Sequence, residues 1–129
     1  MKILITGVAG FLGSHLSQKL SELGHDIIGI DNMAGGYKDN IPKNISFLNF
    51  DCCDLKKMQK AMKDVDVVYH CAATAHEGLS VFSPYEITKN NFMASISVFS
   101  AAISHKVKRI VFCSSMARYG GNKHPSQKI

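Results

Sequence analysis

Hydrophobic residues in this chain follow two alternating rhythms, short solid runs and longer stretches that repeat every three or four positions, and the alternation predicts the architecture. Lys2–Thr6 is an apolar run closed by Gly7, the form of a strand buried on both faces. Leu12, Leu16, Leu20 and Leu23 then recur at helical spacing, with Gly24 placed to end the helix. A second buried strand is expected at Asp26–Asp31, followed by a turn-rich stretch, residues 32–44, and a third strand over residues 45–50. Asp54 is set to cap a short polar helix over residues 55–63, in which Leu55, Met58 and Met62 face inward. Residues 65–73 read as a fourth strand and residues 74–82 as a loop. Ser83, Pro84 and Glu86 combine a capping box with proline in the first helical position, and Ile87, Phe92, Ile96, Phe99 and Ile103 carry the helical spacing on to Ser104. Residues 108–114 form the fifth expected strand, and residues 115–129 have no regular pattern.

Strands that alternate with helices in this way predict an α/β fold, a doubly wound, mostly parallel sheet of the Rossmann type. With 129 residues, 46% of them apolar, the chain can bury one core, so a single domain over residues 1–129 is expected. The formal net charge of +5 is modest. Lys56, Lys57, Lys60 and Lys63 gather on the short helix without interleaved aromatics, which makes a solvated face rather than a nucleic-acid surface. The four cysteines have no metal-ligand spacing, Cys52 and Cys53 are adjacent, and Cys113 is expected as a buried apolar residue of the fifth strand. A reducing cytoplasm fits that usage. Nothing in the sequence reads as a cleaved leader or a bilayer-spanning run.

The chemistry concentrates where the first strand meets the first helix. Gly7, Gly10 and Gly13 are spaced as a dinucleotide turn requires: the first for the tight turn, the second for close approach of a pyrophosphate, the third for close packing of helix on strand. Free N–H groups at the start of the helix favour that anion. Asp31 ends the second strand at the distance where a carboxylate accepts the adenosine ribose hydroxyls and repels the extra phosphate of NADP, so NAD is the expected cofactor.

The segments TGVAGFLG, DNMAGG, FDCCDL, HCAA, KNNFMAS and SSMARYG, in that order, resemble the extended short-chain dehydrogenase/reductase family, and within it the NAD-dependent nucleotide-sugar epimerases and dehydratases of the UDP-glucose 4-epimerase type. The resemblance covers essentially the whole chain. It implies that Gly7, Gly10 and Gly13, with the backbone of Phe11 and Leu12, line the pyrophosphate, and that Asp31 and Asn32 hold the adenosine ribose. It further implies that Asp51 and Cys52 reach the adenine. Ala72 and Ala73 would let the cofactor lie against backbone, Asn91 would support the active-site region, and Ser114 would stand beside Ser115 in the position of the catalytic hydroxyl. His70, also in the matched segment, reads on its own as a packed, hydrogen-bonded residue.

Such enzymes move a hydride between a sugar carbon and NAD while a tyrosine, made acidic by a lysine four residues later on one helix, takes the hydroxyl proton. Tyr119 and Lys123 have that spacing, but Gly120, Gly121 and Asn122 between them oppose a helix, and the resemblance places the catalytic tyrosine further downstream. The chain is therefore expected to carry the cofactor half of the enzyme, without the catalytic pair and without two further strands. A nucleotide sugar would be the substrate of the complete enzyme, and the edge of the fifth strand would pair with a second copy or a partner chain. Two other readings stay open: a stand-alone dinucleotide-binding module completed by a partner, and a minimal oxidoreductase that uses Tyr119.

Overall fold

A computed structural model describes residues 1–76 and 78–115. Its centre is a sheet of five parallel strands, β1 (Lys2–Thr6), β2 (Asp26–Asp31), β3 (Ser46–Asn49), β4 (Val67–His70) and β5 (Arg109–Phe112), in the order β3-β2-β1-β4-β5. The chain starts in the middle, winds outward to β3, then crosses back to β4 and β5. Strand order thus reverses between β1 and β4, and a crevice opens there beyond the strands' C-terminal ends. The α/β doubly wound fold expected from the sequence is the one observed.

Helices cover the two faces. They are α1 (Phe11–Glu22), α2 (Leu55–Ala61), α3 (Leu79–Phe82), α4 (Pro84–Ile87), a π-helical stretch Thr88–Met93, and α5 (Ala94–Ser104). Because strand side chains alternate, Ile3 and Ile5 of β1 join Ile27, Leu16 and Leu20 on the α1 face. Leu4 joins Ile30, Met58, Met62, Val68 and Val98 on the α2–α5 face, which holds the larger core. Gly24, at φ +81, ends α1 by donating to the Ser21 carbonyl, and Asp54 caps α2 by accepting from the Lys57 N–H.

Several expected faces turn out otherwise. On α1, Leu12 and Leu23 are exposed, while Gly13, Ser14 and Ser17 are buried. The helix lies too close to the sheet for leucine at those contact positions. On α5 the same substitution of small for large occurs: Ala94, Ser95, Ser97, Val98, Ala101 and Ala102 face the core, and Ile96 and Ile103, like Phe92 of the π-helical stretch before them, face out. Leu55, expected to face inward, is exposed, and so are Tyr85 and Met93. Ser83 occupies the N-cap position before Pro84, but its side chain makes no capping bond. The single helix expected from Ser83 to Ser104 is interrupted by the π-helical stretch, and part of the expected loop before it forms α3.

Candidate functional site

The glycine turn sits at the reversal of strand order. Gly7 has φ +72, a left-handed conformation, and a β-carbon there would stand 2.8 Å from the Ala72 nitrogen, so the end of β4 leans directly on this glycine. At Gly13 a β-carbon would run into the Gly7 carbonyl, which explains how α1 approaches β1 so closely. Gly10 differs from both. Its β-carbon would meet only the Gly7 oxygen, at 3.3 Å, and its other side opens into the crevice. Two glycines allow packing and the middle one leaves space, as a phosphate cradle needs. Phe11 and Leu12, whose backbone N–H groups begin α1, are exposed beside it.

Asp31, at the end of β2, is buried, and its carboxylate is tied to the turn. Oδ2 accepts from the Ala9 N–H at 3.0 Å and Oδ1 from the Met33 N–H at 2.8 Å, which leaves each oxygen a further lone pair. The second bond holds Met33 at φ 62. Asn32 is exposed next to it and closes the following turn by accepting from the Ala34 N–H. The turn-rich segment then folds back over the glycines. Tyr37 N–H and Asn40 Nδ2 both donate to the Ala9 carbonyl, and Gly36 passes so close to Ala9 that a β-carbon would stand 2.5 Å away. Sequence reading missed this clasp, although the Gly35-Gly36 pair was its visible trace.

Asp51 lies past β3. Partial burial works to raise its pKa, but hydrogen bonds from the Cys53 backbone and side chain, the Lys89 charge and an Asn32 hydrogen bond outweigh it and hold the carboxyl below its ordinary value. Asp51 follows β3, whose Asn49 is in register with Asp31 of β2, so the expected ribose and adenine positions lie at neighbouring strand ends. Cys52 turns the other way. Its thiol is buried in the core, and burial, with Asp51, Asp31 and Cys53 nearby, pushes it up to about 12. Of the adenine contact expected at Cys52, only a backbone one is compatible with this placement.

A hydrogen-bond chain of fixed direction supports the β4 side. Because the Ser95 hydroxyl proton goes to the Asn91 carbonyl, the neutral His70 ring carries its proton on Nε2, so its Nδ1 accepts from the Thr6 hydroxyl at 2.7 Å and Thr6 Oγ1 in turn accepts the Ala72 N–H at 3.1 Å. His70 Nε2–H then donates to Ser95 Oγ at 2.9 Å, and Ser95 donates to the Asn91 carbonyl. Buried and flanked by Phe99 and Phe112, His70 is neutral, its pKa lowered by burial to about 4. The Asn91 side chain completes the frame. Its Oδ1 accepts from the Thr74 N–H at 2.7 Å and its Nδ2 donates to the Thr74 carbonyl at 3.1 Å, while Asn90 reaches the Thr74 hydroxyl. The π-helical stretch is what aims both asparagines at one loop, a common use of such bulges.

Ala72 is half-buried against Gly7 and Ala73 is exposed in the crevice. Ser114, at φ 48, turns the chain just after β5, and Ser115 follows, exposed at the same edge of the sheet. The fold thus gathers the expected site residues from Gly7 to Ser115 along one edge. Tyr119 and Lys123 lie outside the described residues. Among the described residues no cluster of His, Cys, Asp or Glu could hold a metal ion, and no helix is long and apolar enough to cross a membrane.

The model of the NAD dependent epimerase/dehydratase family matches residues 3–129. The chain belongs to that family. A putative UDP-glucose 4-epimerase of Methanocaldococcus jannaschii is 39% identical over 114 residues, which cover 88% of this chain and 37% of that protein. The crystal structure of a Thermotoga maritima UDP-glucose 4-epimerase with UDP-glucose superposes with a TM-score of 0.91 at 34% identity, over 96% of this chain and 41% of that one. A Brucella ovis UDP-glucose 4-epimerase in complex with NAD gives 0.90 at 28% identity, over 96% and 38%. The chain spans about two fifths of the length of these family members and corresponds to their N-terminal part.

Proposed function

We propose that this chain binds NAD along the C-terminal edge of its sheet, as the cofactor-holding part of a nucleotide-sugar epimerase or dehydratase of the UDP-glucose 4-epimerase type. The observation that carries the reading is the pairing of an open Gly10 with a buried Asp31 carboxylate tethered to the same turn. Gly10 and the first N–H groups of α1 receive a pyrophosphate. Asp31, with Asn32, accepts the ribose hydroxyls and disfavours a 2′-phosphate, and Asp51 and the Cys52 backbone border the adenine. Ala72, held by Thr6, and Ala73, fixed between it and the Asn91-bound Thr74, form the wall for the nicotinamide end. Ser114 sets the turn that presents Ser115, whose hydroxyl orients a substrate hydroxyl. When bound, NAD supplies the hydride acceptor for a sugar carbon.

A nucleotide sugar is the substrate of the complete enzyme in this reading, and the cytoplasm, which keeps thiols reduced, is its compartment. The outer edge of β5 supports the expected association. Val111, on the α1 face, and Phe112, on the α5 face, are exposed at this edge, so a second copy or a partner chain pairing with β5 would cover apolar surface on both sides.

Calorimetric titration of the chain with NAD and with NADP, repeated for Asp31→Asn, tests the cofactor reading. NAD is expected to bind more tightly than NADP, and the substitution should weaken NAD by about 10-fold or more, the scale of a lost charge-assisted hydrogen bond. Binding of neither nucleotide to a chain that is folded by circular dichroism would dismiss the reading.

A further inference from the structure

Cys71 and Cys113 lie 42 residues apart in the chain, in no recognisable motif, yet the sheet sets them side by side. In the parallel ladder of β4 and β5, Tyr69 stands opposite Val111 and His70 opposite Phe112; the two cysteines are the next residue on each strand. The Cys113 thiol donates to the Cys71 sulfur at 3.7 Å. Neighbouring strands run about 4.8 Å apart, inside the roughly 4.4–6.8 Å between α-carbons that a disulfide spans. From 3.7 Å, the sulfurs have about 1.7 Å to close to reach the roughly 2.05 Å of a disulfide bond.

We propose that Cys71 and Cys113 are a redox-reactive thiol pair, a modification site at which hydrogen peroxide closes a cross-strand disulfide beside the cofactor crevice. The two thiols have different roles. Cys113 is exposed and meets the oxidant, whereas Cys71 is partly buried against the cluster of Ile3, Ile5 and Ile27 and resolves the product. Burial, and Cys113 beside it, push the Cys71 thiol up to about 12, which keeps it from reacting first. In the first step the Cys113 sulfur attacks the peroxide O–O bond, giving a sulfenic acid and one water. In the second, the Cys71 sulfur attacks the Cys113 sulfur. The S–S bond forms, the S–O bond breaks, and the departing hydroxide leaves as water with the Cys71 proton. The thiols lose two electrons and two protons, and the peroxide is reduced to two waters.

The location gives the bridge a consequence. Cys71 precedes Ala72, which leans on Gly7, and Cys113 precedes Ser114 and Ser115. A closed disulfide ties these two loops together at the edge where the crevice opens. The other two cysteines provide an internal control, since Cys52 is buried in the core and neighbours Cys53 in the chain.

The test treats the full chain with hydrogen peroxide under native conditions, blocks the remaining thiols and maps tryptic peptides without reduction. Cys71 falls on peptide 64–89, Cys113 on 110–118, and Cys52 with Cys53 on 44–56, so each pairing is distinguishable. The expected result is a reducible link between peptides 64–89 and 110–118 within one chain, with thiols per chain falling from the four in the sequence to about half that number. Cys113→Ser, an isosteric change at an exposed position, should slow the loss of the Cys71 thiol by about 10-fold or more. A double Cys52→Ser, Cys53→Ser variant should leave the link intact. Links only between chains, irreversible oxidation of Cys113 with Cys71 still free, or equal yields of all pairings with and without urea would each overturn the proposal.

Discussion

At the turn between β1 and α1 a single methyl group has nowhere to go, whereas along the outer side of α5 whole isoleucine and phenylalanine side chains stand in open surface. The turn is closed by backbone meeting backbone: Gly7 against Ala72, Gly13 against the Gly7 carbonyl, Gly36 against Ala9. The α5–β5 flank reverses the usual sorting by size, with Ala94, Ala101 and Ala102 inside and Phe92, Ile96 and Ile103 outside. In both regions the distance between elements decides which residue fits. At the turn that distance leaves room only at Gly10; on the flank it leaves the large side chains on the surface.

The contrast is most severely tested at Gly13. Replacing it with alanine places a β-carbon against backbone atoms that cannot give way, and a loss of about 3 kcal/mol or more is expected, in the range of overpacked core sites. Urea denaturation would measure it, and a midpoint close to wild type would mean that the turn is looser than described.

Next comes the acid sensitivity of His70. Its folded pKa lies near 4, below the ordinary 6.5, so the unfolded chain binds the proton more readily across that interval. Stability is full above pH 6.5 and falls as the pH drops toward 4, by about 3 kcal/mol in total at about 1.4 kcal/mol per pH unit. Asp51, Asp54 and Asp66, with pKa values lowered from 3.8, lose their contributions at still lower pH. A His70→Gln variant should be less stable at neutral pH and should lack the slope between pH 6.5 and 4. An unchanged slope in that variant would assign the effect to other groups.

Smaller effects belong to the flank. Ser97 faces the core from α5, and among the described residues its hydroxyl has no hydrogen-bond partner. Ser97→Ala should stabilise the chain by about 1 kcal/mol, the cost of a buried unsatisfied hydroxyl; thermal melts that show destabilisation would point to a missed partner. Ile103→Glu, at a position 74% exposed, should change stability by about 0.5 kcal/mol or less while reducing self-association in sedimentation. Equal sedimentation of both proteins would remove Ile103 from any covering surface.

Those four sites also mark what was legible beforehand. The order of the strands along the chain, the place of the glycine turn between β1 and α1, that of Asp31 at the end of β2 and the caps at Gly24 and Asp54 are local signals, carried by residues within a few positions of each other, and these placements read correctly. Helix faces read poorly. The leucines of α1 and the large apolar residues of α5 repeat with the right period, but the small residues beside them repeat with the same period, and only the spacing of the assembled layers selects between the two. Cys113 was misplaced for a related reason: it follows an edge strand, where an apolar run is not enclosed on both sides, and it is exposed. The path from Thr6 through His70 to Ser95 was out of reach altogether, because its members are separated by 64 and 25 residues and meet only through the parallel register.

The π-helical stretch also constrains the chain by count. Such a segment is a regular helix carrying one surplus residue. Deleting one residue within Thr88–Met93 would let the backbone close into an ordinary helix with α4 and α5 still in phase, because the bulge is what absorbs the extra residue. The two asparagines would then no longer both meet Thr74. The surplus residue is therefore a local specification: the flanking helices could do without it, and the loop at Thr74 could not.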